Sequence, residues 1–254
     1  MTKTRIIALF NQSGGVGKTS LTMNLGYHLA KKKNRVLLID MDPQASLTTF
    51  MGLEPENITQ TIYEAVVGEE DLPVHPELIH GMSFVPANIN LSAAELELVA
   101  ALMREMRLKN ALLSVLDEYD YILIDCPPSL GILSVVSLVA ATHVLVPIQC
   151  QFKSFQGTDL LLKTVARLRK GANPSLAIAG FIPTMYDART AQESRTYEAI
   201  KEQLSPLATV FDPIPKTIAF ADASEARLPL AITNPKHPAV RVMKKITSGL
   251  EKLP

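Results

Sequence analysis

Gln12-Ser13-Gly14-Gly15-Val16-Gly17-Lys18-Thr19 lies between an apolar run, Ile6 to Phe10, and a helical pattern that begins near Thr19. Strand, glycine-rich turn and helix in that order read as a phosphate-binding loop. Gly14, Gly15 and Gly17 let backbone N–H groups turn inward around an anion, Lys18 reaches the β- and γ-phosphates of a nucleotide, and the Thr19 hydroxyl suits Mg²⁺. Val16 and Ser20 complete the cradle, and the helix points its positive end at the same phosphates. The usual form of the loop has glycine where this chain has Gln12. The strand-loop-helix context carries the reading, because a turn serving geometry alone has no use for the Lys18-Thr19 pair.

Beyond the loop, Leu21, Leu25 and Leu29 recur at helical spacing, and Val36-Leu37-Leu38-Ile39 is a continuous apolar run of the kind a parallel strand buried on both faces requires. That run ends at Asp40-Met41-Asp42, and a second one, Tyr121 to Ile124, ends at Asp125. In open α/β sheets ligands bind beyond the carboxyl ends of strands, so Lys18/Thr19, Asp40/Asp42 and Asp125 are expected to share one crevice. A phosphoryl-transfer site needs charge clamps, a metal and a positioned water, and this set can supply all three.

Further strands are expected at Met82–Pro86, Val144–Ile148 and Ala177–Ile182, with a short one near Ala208–Phe211. Helices are expected over 131–140, 157–170, 191–204 and 238–250, and a long helical segment over 92–118, interrupted near 108–110 and opened by a Ser92/Glu95 capping box. Strands alternating with helices specify an α/β fold: a doubly wound, mostly parallel sheet with helices on both faces, in one domain spanning 1–254.

Composition narrows the class further. With 254 residues, 47% of them hydrophobic, the chain is long enough for one sizeable core. Cys126 and Cys150 follow apolar runs, as buried reduced thiols do, which argues for a cytosolic setting over a disulfide framework. The N-terminus turns polar too soon for a signal peptide, and 131–148 contains serine, threonine, histidine and proline that divide it into helix and strand instead of a membrane span. Formal charge is zero overall, but residues 161–254 carry 14 Lys+Arg against 8 Asp+Glu, a net +6 balanced by −6 in residues 1–160. Such asymmetry marks a polyanion-binding face or a set of solvated helix surfaces.

The motifs GGVGKT at 14–19, LLIDMDPQAS at 37–46, YDYILIDCPPSLG at 119–131 and VLVPIQ at 144–149, with weaker echoes in TMYDART at 184–190 and IPKTIAFADASEA at 214–226, closely resemble the ParA/MinD family of deviant-Walker ATPases. The resemblance covers nearly the whole chain. It implies ATP and Mg²⁺ as cofactors, slow hydrolysis coupled to homodimerisation, non-specific DNA binding on the nucleoid, and a cargo adaptor that stimulates the ATPase. Carried over residue by residue, Lys18 binds phosphate, Thr19 and Asp125 hold the metal, Asp42 orients the attacking water and Asp40 supports the metal shell. Met185 and Pro215 fall where relatives contact adenine, although loop packing accounts for them equally well.

One position departs from the family. The signature lysine precedes the paired glycines and crosses to the partner's nucleotide; here that residue is Ser13, which supplies no positive charge. Lys153, beyond the strand that ends at Ile148, is the candidate replacement, its alternative being a solvated surface lysine. A lysine from that later position resembles the McdA branch, so the cargo the resemblance implies first is carboxysomes, with plasmid or chromosome partition as the alternative. The adaptor would then be McdB-like, or ParB-like if the cargo is a plasmid or chromosome. Arg189, Arg195, Lys216, Arg227, Arg241, Lys244 and Lys245 are candidate DNA-phosphate contacts. A MinD-like membrane regulator would need a stronger amphipathic anchor than the 241–254 tail, so no membrane partner is expected, and a metabolic ligase or iron–sulfur reductase on the same scaffold leaves no legible substrate or cluster motif.

Overall fold

The computed structural model describes residues 4–151, 155 and 157–254. Its centre is a six-stranded sheet in the order β3-β2-β4-β1-β5-β6, built from β1 (Arg5–Leu9), β2 (Val36–Asp40), β3 (Ser83–Val85), β4 (Tyr121–Asp125), β5 (His143–Gln149) and β6 (Ala177–Thr184). Every strand pair is parallel. The expectation of a doubly wound parallel sheet holds, and the alternation of side chains explains the strand composition. Ala8, Leu37, Ile39, Ile122 and Ile124 enter one core, while Ile7, Leu9, Leu38, Leu123 and Leu145 enter the other.

Helices cover both faces. α1 (Lys18–Ala30) places Leu21, Leu25 and Leu29 in the second core. The short helices α2 (Ser46–Phe50) and α3 (Ile62–Val66) follow, then α4 (Leu91–Ala100), α5 (Arg107–Ala111) and α6 (Ile132–Ala140). After β5 come α7 (Thr158–Lys170), α8 (Ala191–Leu204), α9 (Ala219–Glu225), α10 (Leu230–Thr233) and α11 (Pro238–Leu250). α4 to α8 feed the first core, whereas α11 packs beside α1 on the other face through Val240, Met243, Ile246 and Leu250.

Local structure departs from the sequence expectation at three places. The helix expected over 92–118 breaks at 101–103, with Ala101 extended and Met103 left-handed at φ 50°, whereas 108–110 is helical within α5. Arg104 Nη1 donates to the Val99 carbonyl at 2.7 Å and so caps the end of α4, and the break turns Leu108 and Leu112 onto the core. The Ser92/Glu95 capping box does not form: α4 starts one residue earlier, because Leu91 is the buried residue and the Asn88–Asn90 turn already satisfies the first amides. A capping box forms instead at Thr61 and Glu64, before α3. The segment near 208–211 makes isolated pairing with β6, Phe211 N–H donating to the Phe181 carbonyl at 2.9 Å, and Pro213 and Pro215 interrupt a continuous ladder.

That segment is held by a ring clamped between two glycines. Ala179 is an extra residue in β6, since Val144 pairs with Ile178 and Leu145 with Gly180, and Gly180 has φ 154°. A Cβ at Gly180 would stand 2.6 Å from Phe211 Cε2, and one at Gly249 of α11 would stand 2.6 Å from Phe211 Cε1. A methyl added at either glycine would therefore press on one edge of the ring. Gly249→Ala, which would stabilise an open helix position by about 0.5–1 kcal/mol, is therefore expected to destabilise by about 1–3 kcal/mol through overpacking. Thermal denaturation checks this, and Phe211→Leu in the same chain should recover part of the loss.

Candidate active site

The carboxyl ends of β1, β4 and β2 lie side by side, so the parallel register sets Leu9 beside Asp125 and Asp125 beside Asp40. The glycine-rich loop leaves β1 at this edge. Gly15 and Gly17 have φ 71° and 93°, and a Cβ on either would meet nothing within 4 Å. Their demand is for left-handed backbone, which glycine adopts without steric cost, and not for space. Side chains from distant strands pin the loop: Asn11 Nδ2 donates to the Pro147 carbonyl at 2.6 Å, Asn11 Oδ1 accepts the Ser13 N–H at 2.9 Å, and Thr184 Oγ1 donates to the Val16 carbonyl at 3.0 Å. α1 begins with Gly17 as its cap and no side chain on its first amides, which leaves those donors for an anion.

Lys18 is buried, its Nζ donating to the carbonyls of Asn11 at 2.9 Å and Ser13 at 3.1 Å. Burial lowers its pKa, opposed by the charges of Asp125, Cys126 and Asp42. Asp125 is buried too, and its Oδ2 has no hydrogen-bond partner among the described residues. Desolvation and then the neighbouring Asp40 push its pKa well above the carboxylate range, against the opposing effects of Thr19 and Lys18. Asp40 is pushed up to about 6, chiefly by desolvation. Both its oxygens are engaged: Oδ2 accepts from Thr48 N–H at 2.9 Å and Thr48 Oγ1 at 2.8 Å, and Oδ1 from Asp42 N–H at 3.1 Å. Asp42 is half-buried, with Oδ1 accepting the Gln44 N–H at 3.0 Å.

This cluster has the character of a cation and phosphate site. An orphaned buried carboxylate oxygen next to a hydroxyl, at the mouth of an amide cradle, is costly unless a ligand satisfies it. Among the described residues no three His, Cys, Asp or Glu side chains form a metal cage. Mg²⁺ does not need one, since it is held by one or two protein oxygens plus phosphate oxygens and water.

Next to the loop a pocket of ≈ 530 Å³ is lined by Val16, Gly17, Ser20 and Leu21 on one side and by residues of 184–189 and 214–220 on the other, Met185 and Pro215 among them. The fold thus brings both residues to the loop, and pairing of Tyr186 with Pro215 explains how: Tyr186 N–H donates to the Ile214 carbonyl and Lys216 N–H to the Tyr186 carbonyl. Lys153 lies outside the described residues. Of the candidate DNA contacts, Arg189, Arg227 and Lys245 are engaged with Asp187, Glu54 and Asp212, while Arg195, Lys216, Arg241 and Lys244 are exposed and form no ion pair among the described residues. Sequence reasoning missed Asn11 and Thr184, whose partners are distant in sequence, and Thr48, eight residues after Asp40 across a turn; Thr22, one helical turn after Lys18, was within reach of the 3.6-residue period.

Comparison with known proteins places this geometry among relatives. A family described as an AAA domain matches residues 4–178. The sporulation initiation inhibitor protein Soj of Bacillus subtilis is 39% identical over 236 residues, 91% of this chain and 92% of Soj. The chromosome partitioning protein ParA of Myxococcus xanthus is 42% identical over 199 residues, 78% of this chain and 70% of that protein. Among solved structures, the ATP complex of a Cyanothece McdA variant superposes with a TM-score of 0.89 at 25% identity over 100% of this chain and 99% of its own. Cobyrinic acid a,c-diamide synthase of Mycobacterium smegmatis, with bound ADP and magnesium, gives 0.86 at 32% identity over 98% and 94%.

Raised carboxylate pKa values carry a sign for stability. A group whose folded pKa exceeds its unfolded one adds stability at low pH and loses it as pH rises through the folded value, about 6 for Asp40 and higher than normal for Asp125. In chelator and without nucleotide, Asp125→Asn is therefore expected to raise the melting temperature by about 4 °C or more near pH 8. The gain should shrink toward acid pH, where the wild-type carboxyl is already protonated. Lys18 keeps its two carbonyl acceptors in this variant. Calorimetry across pH checks both the gain and its direction.

Proposed function

Because the chain belongs to the ParA/MinD family of ATPases, we propose that it is an ATP-dependent dimerising switch of the Soj/ParA partition type, binding DNA non-specifically and answering to a cargo adaptor. The observation that carries the reading is the buried Asp125 oxygen without a partner among the described residues, beside Thr19 and Lys18 under the amide cradle. Mg²⁺·ATP would supply the transferable phosphoryl group and the charge that the crowded carboxylates lack. The chain's own contribution is positional. Lys18 and the amides of 14–18 would hold phosphate, with Val16, Gly17 and Ser20 extending toward the base pocket, and Thr19 and Asp125 would hold the metal. Asp42 would orient the water. Asp40 would act behind it, because its carboxylate fixes the Asp42 amide and the first turn of α2.

The base would sit in the pocket between the end of the glycine-rich loop and the paired Met185 and Pro215 segments. The signature charge missing at Ser13 leaves Lys153 as our candidate for the cation that completes a partner's site in a homodimer. Partition of DNA is preferred to carboxysome positioning because sequence likeness to Soj exceeds likeness to McdA; Ser13 and Lys153 are what favour the second reading, with an McdB-like in place of a ParB-like adaptor. The exposed Arg241 and Lys244, one turn apart on α11, are the first candidates for DNA phosphate. No helix among the described residues is long and apolar enough to cross a membrane.

ATP should convert monomer to dimer in analytical ultracentrifugation, and Lys18→Ala should abolish both that shift and phosphate release. Lys153→Ala should lower hydrolysis by about a hundredfold if it provides transition-state charge; unchanged turnover would remove it from the site. Plasmid co-sedimentation with ATP should fall with rising salt and fall further in Arg241→Glu/Lys244→Glu. Sedimentation with liposomes alone would overturn the DNA assignment.

A further inference from the structure

Asp187 is the one carboxylate among the described residues lining the ≈ 530 Å³ pocket, and Arg189 on the same wall holds it. Oδ1 accepts the Arg189 backbone N–H at 3.0 Å and Nε at 2.9 Å, while Oδ2 accepts Nη2 at 2.7 Å. The turn is pinned from behind: Asp187 N–H donates to Oε2 of the buried Glu193 at 2.6 Å, and Thr190 N–H donates to the Asp187 carbonyl at 3.0 Å. The Arg189 side chain is 90% exposed. An ion pair so open to water contributes little to stability, so stability is a poor explanation for a three-point grip on a pocket carboxylate.

The purine edges differ in what they ask of such a group. Guanine presents N1–H and the N2 amine, two donors side by side, and a carboxylate with both oxygens free accepts both. Adenine presents one amine next to the N1 acceptor, which a free carboxylate repels. An ionised carboxyl has about four acceptor directions. Three are filled here, all by Arg189, leaving one on Oδ2 among the described residues. That remainder can accept from a single amine and cannot serve guanine's pair. Of the other lining residues, Met185, Ile214, Pro215, Ile218 and Phe220 give apolar faces that suit either purine, and the hydroxyls of Ser20, Thr184 and Thr217 can each donate or accept and so favour neither edge.

We infer that the Asp187–Arg189 ion pair is the purine-selecting element of the pocket, the guanidinium masking a carboxylate that would otherwise take a guanine nucleotide. The inference rests on the reading that the nucleotide's base occupies this pocket. Lys216, whose N–H donates to the Tyr186 carbonyl on the same wall, adds positive potential near Asp187 but forms no ion pair with it among the described residues.

Titration of the full chain with N-methylanthraniloyl-ATP and N-methylanthraniloyl-GTP in Mg²⁺ tests it. The wild type should prefer the adenine nucleotide. Arg189→Ala should raise affinity for the guanine nucleotide about tenfold or more, the value of one or two charge-assisted hydrogen bonds. Asp187→Asn added to Arg189→Ala should return the guanine affinity to the wild-type level. A wild type that takes ATP, with an unchanged ATP/GTP ratio in a folded Arg189→Ala, or a gain that survives in the double variant, overturns the inference alone. A wild type that binds neither nucleotide removes the ATP reading and the inference with it.

Discussion

Two carboxylates forced together underlie the rest of the molecule. Parallel pairing of β2 with β4 sets Asp40 directly across from Asp125, both buried, with Lys18 as the cation in the same space. Like charges in a low-dielectric site resist joint ionisation, and desolvation adds to the resistance. The fold tolerates the pair because each has a different outlet. Asp40 spends its lone pairs on Thr48 and the Asp42 amide and becomes the fastener of the loop after β2. Asp125 keeps an oxygen free at the mouth of the glycine-rich loop. One carboxylate is thus structural and its neighbour is left available to a ligand.

The pocket walls show how distant segments are brought to that edge. β6 carries Thr184 to the Val16 carbonyl, and the stretch from 209 to 216 runs beside β6, held by backbone bonds and by the Phe211 ring between Gly180 and Gly249. Packing on the far side of the sheet from α4 and α6 therefore governs where Pro215 and Lys216 stand. Gly249, on a helix that supplies none of the described lining residues of the pocket, touches the 209–216 stretch through this one aromatic ring.

Legibility in the sequence followed interaction range. β1, β2 and β4 were readable because strands buried on both faces must be continuous apolar runs, and α8 and α11 because their buried residues recur at helical spacing. Lys18, Thr19, Asp40, Asp42 and Asp125 stood out because each closes or follows such a run. The break at 101–103 escaped because nothing local forbids helix there; burial of Leu108 and Leu112 overrides propensity. Ser92 had the right spacing from Glu95 and still does not cap, since Leu91, one position earlier, is the residue the core takes.

By itself the sequence determined the parallel α/β fold and the strand ends that bear its charges, because hydrophobic periodicity and glycine conformational preference are local properties. Only the tertiary structure decided that Asp40 faces Asp125, that Asn11 and Thr184 hold the loop, and that Met185 and Pro215 stand side by side on one wall of the cavity next to that loop. Each of these depends on which strands become neighbours and on how side chains are desolvated once they do. Neither is encoded in the spacing of any single segment.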